Sequence, residues 1–264
     1  RTALFHAVGR QTSLRRGQRR NIRGVDIELL RAGHIVCAAG VLITAGDKRV
    51  VISCDVSRAG QKSVGGIAIP DAARGADLLL LESTYGATSR PMPRELAVSQ
   101  FVRDISSVVE GGGRVLVPAF ALGRAQEVAI PLAEHLPDVS VLIDGLARDV
   151  SAVYEQHNGP DGTTLRIFGG QVRAVQSGGT RAAINQLRTG VVIATSGMLS
   201  AGPAVSWARE LLPDPRAGLM VVGYQDEESP GARLLALAET GGGLFDLPRA
   251  DGGFEKVPVA AKIA

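Results

Sequence analysis

His34, Asp55 and Glu82 are the side chains in the first third of the sequence whose types and placement suit chemistry. Gly33-His34 precedes one apolar run, and Asp55 follows the next in Ser53-Cys54-Asp55-Val56-Ser57-Arg58. An imidazole and a carboxylate at neighbouring strand ends are suitable ligands for zinc or a similar divalent ion. Two ligands do not complete a site, because a catalytic zinc takes about three protein ligands plus an open position. The competing reading is that both are ordinary strand-end polar groups. Glu82 ends the run Asp77-Leu-Leu-Leu-Leu-Glu82-Ser-Thr-Tyr-Gly86, whose leucines predict a strand buried on both faces. Ligands and catalytic groups of α/β sheets collect beyond the carboxyl ends of strands. The alternative is that Glu82 caps the following turn or pairs with an arginine. His6, His135 and His157 show no ligand spacing.

The elements that must position these groups are strands. Ile22 to Leu30 alternates as one strand, and the runs Ile35 to Thr44 and Arg49 to Cys54 flank Ala45-Gly46-Asp47-Lys48, which reads as a hairpin. Beyond Pro91 the pattern changes. Glu95 to Glu110 has apolar residues at helical spacing and is stopped by Gly111-Gly112-Gly113. Strands are then predicted at Arg114–Pro118, Val139–Ile143, Val191–Thr195 and Leu219–Val222. They alternate with helices at Arg124–Leu136, Ala147–Gln156, Pro203–Leu211 and Pro230–Ala238. Such alternation implies parallel pairing with helices on both faces. The stretch 158–190 shows no assignable pattern.

At 264 residues and 45% hydrophobic content the chain can bury a sizeable core. No apolar run reaches the ~18 residues that span a membrane. Two cysteines argue against a disulfide framework and for a reducing, cytoplasmic setting. A net charge of +3 is too small to establish a nucleic-acid partner. The arginines at 1, 10, 15, 16, 19, 20 and 23 read as a solvated stretch rather than a phosphate site. Arg1 is not an initiator methionine, the first methionine is Met92, and the sequence stops in a strand-like run, Val257–Ala264. We therefore expect an internal piece of a longer protein.

Ala32-Gly33-His34-Ile-Val-Cys-Ala-Ala, Ser53-Cys54-Asp55-Val-Ser-Arg58, Glu82-Ser-Thr-Tyr-Gly86 and Gly113-Arg-Val-Leu-Val-Pro-Ala-Phe-Ala-Leu-Gly-Arg-Ala-Gln-Glu127 occur in that order. They are followed by Ala194-Thr-Ser-Gly-Met198 and Gly223-Tyr-Gln-Asp-Glu-Glu-Ser-Pro-Gly231. Together they resemble the β-CASP branch of the metallo-β-lactamase superfamily, in particular its RNA-processing members, relatives of ribonuclease J and the cleavage and polyadenylation endonuclease. The resemblance implies an α/β protein, a partial metallo-β-lactamase αββα sandwich with an inserted doubly wound β-CASP domain. It divides the chain into residues 1–88 of the first metallo-β-lactamase half, 89–246 of the β-CASP domain and a return strand at 247–264.

The same resemblance assigns roles. His34 stands where the family supplies a metal-binding histidine, and Asp55 where it supplies the aspartate bridging two zinc ions. Glu82 matches the acidic motif that orients a general-acid histidine, and glutamate there goes with the RNA branch. The family's His-x-His-x-Asp-His motif would lie before residue 1 and its last histidine ligand after residue 264, so the piece alone is expected to bind metal weakly and cleave nothing. RNA is the implied partner, two zinc ions the implied cofactor of the whole protein, and a homodimer is admitted. Substrate contacts would come from Ser83, Tyr85, Gly123, Arg124, Ser196 and Gly197. The helix N-terminus after Phe120-Ala-Leu-Gly123-Arg124 suits a phosphate, although Gly123 also suits a plain tight turn. Ser196-Gly197 and Ser229-Pro230 equally suit capping. The alternative to a ribonuclease is an inactive RNA-binding scaffold subunit. Cys37 and Cys54 replace glycines of the family pattern; both are expected to be small buried hydrophobes, and Cys54 would be strained if the glycine served a positive φ or a close backbone approach.

Overall fold

The computed structural model of the chain describes residues 17–87 and 92–264, in two compact units divided between Ser89 and Arg90. Arg1, Arg10, Arg15, Arg16 and His6 lie outside the described residues.

The first unit is one sheet of five strands in the order β1-β2-β3-β4-β5: β1 (Arg19–Ile22), β2 (Val25–Arg31), β3 (Ala39–Ala45), β4 (Lys48–Ile52) and β5 (Leu78–Leu80). Pairing is antiparallel except for the parallel β4–β5 edge. The strand expected over 22–30 is broken into two, because Arg23 and Gly24 both take positive φ (53° and 85°) and turn the chain back. β3 starts at Ala39 rather than Ile35, since the Ala38 amide bonds the Ile35 carbonyl and closes a turn there. The Gly46-Asp47 hairpin forms as expected, with Ala45 opposite Lys48.

The leucine run corrects the sequence reading more sharply. Leu78 to Leu81 are 50–61% exposed rather than buried on both faces. β5 is the last strand of its sheet, bonded only to β4, and among the described residues no layer covers it. This unit's core is correspondingly small: Leu30, Leu42, Val51 and Ala73.

The second unit is a six-stranded, wholly parallel sheet in the order β13-β10-β6-β9-β7-β8. Its strands are β6 (Arg114–Pro118), β7 (Val141–Asp144), β8 (Val172–Ala174), β9 (Gly190–Ala194), β10 (Gly218–Leu219) and β13 (Lys262–Ile263). The helices are α1 (Arg94–Glu110), α2 (Arg124–His135), α3 (Leu146–Tyr154), α4 (Thr180–Gln186), α5 (Pro203–Leu211) and α6 (Pro230–Glu239). A hairpin of β11 (Gly243–Pro248) and β12 (Phe254–Val259) stands apart from the sheet.

Alternation along fully buried strands assigns the faces. Leu116, Val192 and Ala194 join Trp207, Ala208 and Leu211 of α5 in one cluster, while Val115, Val117, Val191 and Ile193 are equally buried and point the other way. α1, α2 and α3 pack one after another, and α4 packs with α5. Helices thus cover both faces, as the alternation predicts. The unassigned stretch holds β8 and α4. β8 has three residues, two of them exposed, and so short a strand leaves no periodicity to read.

Candidate functional site

Two groups of segments singled out by sequence are brought alongside one another, one in each unit. In the first, an isolated antiparallel bridge pairs Gly33 with Val56, and the Ser57 amide bonds the Ala32 carbonyl at 3.0 Å. That register sets position 34 opposite position 55. Only glycine fits at 33: its φ is 77°, and a Cβ would lie 2.5 Å from the Ile67 amide nitrogen. Gln61 holds the turn by donating its amide to the His34 carbonyl at 2.6 Å and to the Gly33 carbonyl at 3.3 Å.

Glu82 reaches the same place from β5. The buried Ser53 hydroxyl donates to the Cys54 carbonyl (2.6 Å) and accepts from the Glu82 amide (3.1 Å), tying together the ends of β4 and β5. The Glu82 carboxylate accepts from the Thr84 amide at 2.8 Å, so the turn-capping role weighed against a functional one is filled. That bond chiefly holds its pKa below the ordinary value, with the Thr84 side chain, the Val56 amide and the nearby His34 adding to the effect against partial desolvation. Glu82 therefore remains an anion beside His34. Ser83 and Tyr85 sit exposed in the turn that follows, closed by the Gly86 amide on the Ser83 carbonyl.

Cys37 and Cys54 are exposed, not buried. Both lie in the left-handed region, at φ 67° and 50°. Each stands in an irregular segment just outside a strand, where the turn sets φ and leaves the thiol outside any packed layer. Among the described residues no group of three or more His, Cys, Asp and Glu side chains could hold a metal ion. His34 and Asp55 do not by themselves fit a complete zinc centre.

The second group lies where the topology makes a crevice. The chain leaves β6 through α2 toward β7, and leaves the adjacent β9 through α5 toward β10, so the two connections depart in opposite directions. Doubly wound sheets bind ligands at such switch points, although here the two loops close on each other instead of separating. The loops are Ala119–Gly123 after β6 and Thr195–Gly202 after β9. They touch closely: a Cβ on Gly197 would lie 2.8 Å from the Phe120 amide nitrogen. Gly123, at φ 89°, turns the chain into α2, and its amide is taken by the Gln126 side chain at 2.8 Å, so that donor is not available to a phosphate. Arg124 opens α2, half-buried.

The Ser196 hydroxyl braces its own loop, accepting from the Ser200 amide (3.0 Å) and the Ala201 amide (3.3 Å). Ser229 caps α6 through the Ala232 amide. The sequence reading missed Phe120, Gln225 and Asp144. Phe120 is 37% exposed beside Gly197 and Gly223, and Gln225 donates to the Gly197 carbonyl at 2.9 Å. Both lie inside motifs already singled out. Asp144, at the end of β7, accepts from Trp207 Nε1 (2.9 Å), the Thr180 hydroxyl (3.2 Å) and the Gly145 amide (2.8 Å); only the tertiary structure marks it.

Residues 125–234 match the Beta-Casp domain. Through these residues the chain carries a β-CASP domain. It is similar to the probable RNase MJ4 of Methanocaldococcus jannaschii, 28% identical over 241 residues that make up 89% of this chain and 55% of that protein. It is also similar to RNase aCSPSF2 of Saccharolobus solfataricus, 30% identical over 84% of this chain and 45% of that protein. Transcription termination factor FttA of Methanocaldococcus jannaschii matches at 31% over 60% of this chain and 27% of its own length. The β-CASP chain thus spans about half the length of the first two of these relatives. These relatives are named as RNases and as a transcription termination factor. No helix among the described residues is long and apolar enough to cross a membrane.

Proposed function

We propose that this chain is part of a metal-dependent hydrolase of RNA phosphodiester bonds. The first unit would contribute one sheet of a metallo-β-lactamase sandwich, and the second would hold the RNA. The single observation that supports the reading is that the Gly33–Val56 bridge and the Ser53 hydroxyl bring the segments carrying His34, Asp55 and Glu82 alongside one another at one rim of the first sheet. His34 and Asp55 would be two ligands of a zinc centre, with the rest of the ligand set supplied from outside the described residues. Zinc would activate water and neutralise charge on the scissile phosphate. Glu82 would act as an anion, orienting a neighbouring cationic or proton-carrying group. Ser83 and Tyr85, and in the second unit Arg124, Ser196 and Gly197 with Phe120, would contact the RNA by hydrogen bonds, charge and stacking. Gly123 would contribute the turn that presents Arg124.

The test is cleavage of labelled RNA by the full-length protein with and without a chelator, alongside Asp55→Asn. Cleavage abolished by both is expected; cleavage that survives both overturns the hydrolase reading. A second reading, an inactive RNA-binding subunit, is favoured by the incomplete donor set among the described residues. It predicts RNA binding that is indifferent to chelator, with no cleavage.

A further inference from the structure

The end of the parallel sheet opposite the switch-point crevice carries a feature that the proposed function does not use. Two grooves meet there at Leu187 and Arg188. One, of about 570 Å³, is lined by Arg114, Arg188 and Arg216 together with Glu210 and Asp214. The other, of about 600 Å³, is lined by Arg173, Arg188, Ser140 and Gln176 on a floor of small aliphatic side chains such as Val175 and Ala183. Their walls come from the segments entering β10, β6, β9 and β7 and, beside them, from β8 and the loop that follows it; these strands are consecutive neighbours in the sheet. At ~4.8 Å between strands the run is about 19 Å long.

The charges do not cancel. Glu210 pairs with Arg181 at 3.7 Å, and Asp214 with Arg216 at 3.3 Å. Arg114 caps α4 by donating to the Ile184 carbonyl at 3.2 Å. With both lining carboxylates engaged, Arg173 and Arg188 have no carboxylate partner among the described residues. Both are exposed, and Arg173 makes only a 3.4 Å contact with the Ser140 hydroxyl. Arg188 sits where the grooves join. No aromatic side chain lines either groove, so the surface suits a charged backbone rather than stacked bases.

We propose that this N-terminal edge of the β-CASP sheet is a second RNA-contact surface, a groove that follows the phosphate backbone of a single strand without reading its sequence. The inference rests on the RNA reading above and adds a contact face remote from the strand-end loops. Arginines along a groove bind successive phosphates as a tracking surface does, with strong salt dependence and little base preference. An acidic protein segment is the competing occupant. The absence of any aromatic side chain from the lining disfavours it, since protein interfaces concentrate their affinity in a few buried anchors rich in Trp, Tyr and Arg.

The experiment measures the affinity of the full chain for a labelled single-stranded RNA over a range of salt. Arg173→Gln/Arg188→Gln is compared with the parent and with Arg166→Gln, an exposed arginine that lines neither groove. Losing two phosphate contacts should lower the slope of log K against log salt by about 1.4, which at 0.1 M salt is roughly 25-fold in affinity. Arg166→Gln should bind as the parent does, and photo-crosslinking should label peptides across residues 173–189. Parent-like slope and affinity in the double variant would overturn the groove and leave the RNA reading standing. A double variant that loses an acidic peptide but keeps RNA would overturn it equally. A parent that binds no RNA would remove both readings together.

Discussion

Replacing Cys54 and Cys37 by glycine should make this protein more stable. Both residues hold a left-handed backbone, φ 50° and 67°, a region that costs an L-residue about 1–2 kcal/mol because Cβ approaches the following carbonyl. Both side chains are exposed, so truncation removes no packed surface. The Ser53 hydroxyl bonds the backbone carbonyl of Cys54, not its thiol, and that bond survives the change. Against the relief stands the greater freedom of glycine in the unfolded chain, about 0.4–1 kcal/mol. The balance is a gain of about 0.5–1 kcal/mol at each position. For the double variant it is about 1–2 kcal/mol if the two positions act independently. Urea unfolding of each single variant and of the pair, followed under reducing conditions, reads this as a higher midpoint at unchanged slope. A lower midpoint in both single variants would refute the reasoning. It would mean that the thiols make stabilising contacts their exposure does not disclose, or that the turns are held elsewhere than at these φ angles.

Three further outcomes follow from named contacts. Glu82 has a depressed pKa, so its contribution to stability is present above the unfolded value of about 4.3 and is lost as pH falls through the lower folded value; Glu82→Gln should flatten that acid limb in urea midpoints measured from pH 6 to 2, and an unchanged limb would show that the carboxylate is not held by its turn. Trp207→Phe removes the indole donor from the buried Asp144 and should cost about 1–3 kcal/mol in thermal or urea unfolding; a cost under about 0.5 kcal/mol would mean that the carboxylate finds another partner. Gly197→Ala places a Cβ 2.8 Å from the Phe120 amide nitrogen. It should move the Phe120 loop and weaken RNA binding more than Ser200→Ala does, whereas equal binding by the two variants would count against the crevice as an RNA contact.

Much of the second unit is legible in its amino-acid sequence, because its strands are buried on both faces and its helices present one apolar stripe, so local periodicity records the layer each residue occupies. Gly111-Gly112-Gly113 ends α1, Pro203 opens α5, and alternation from Arg114 to Glu239 yields the parallel sheet with helices on both faces. His34, Asp55 and Glu82 stand out by residue type and strand-end position alone. That the segments carrying them adjoin is decided by a single bridge, Gly33 to Val56, and by the hydroxyl of Ser53, contacts between segments more than twenty residues apart in sequence that no local pattern encodes. The leucine run shows the same limit from the other side. Leu78–Leu81 read as a doubly covered strand, yet whether an apolar strand is buried depends on which layers are packed against it, and β5 is an edge. The switch point between the ends of β6 and β9 exists because α2 and α5 leave in opposite directions, and the arginine groove exists because four strand beginnings line up beside β8. Both are properties of strand order, which emerges only when the chain is folded.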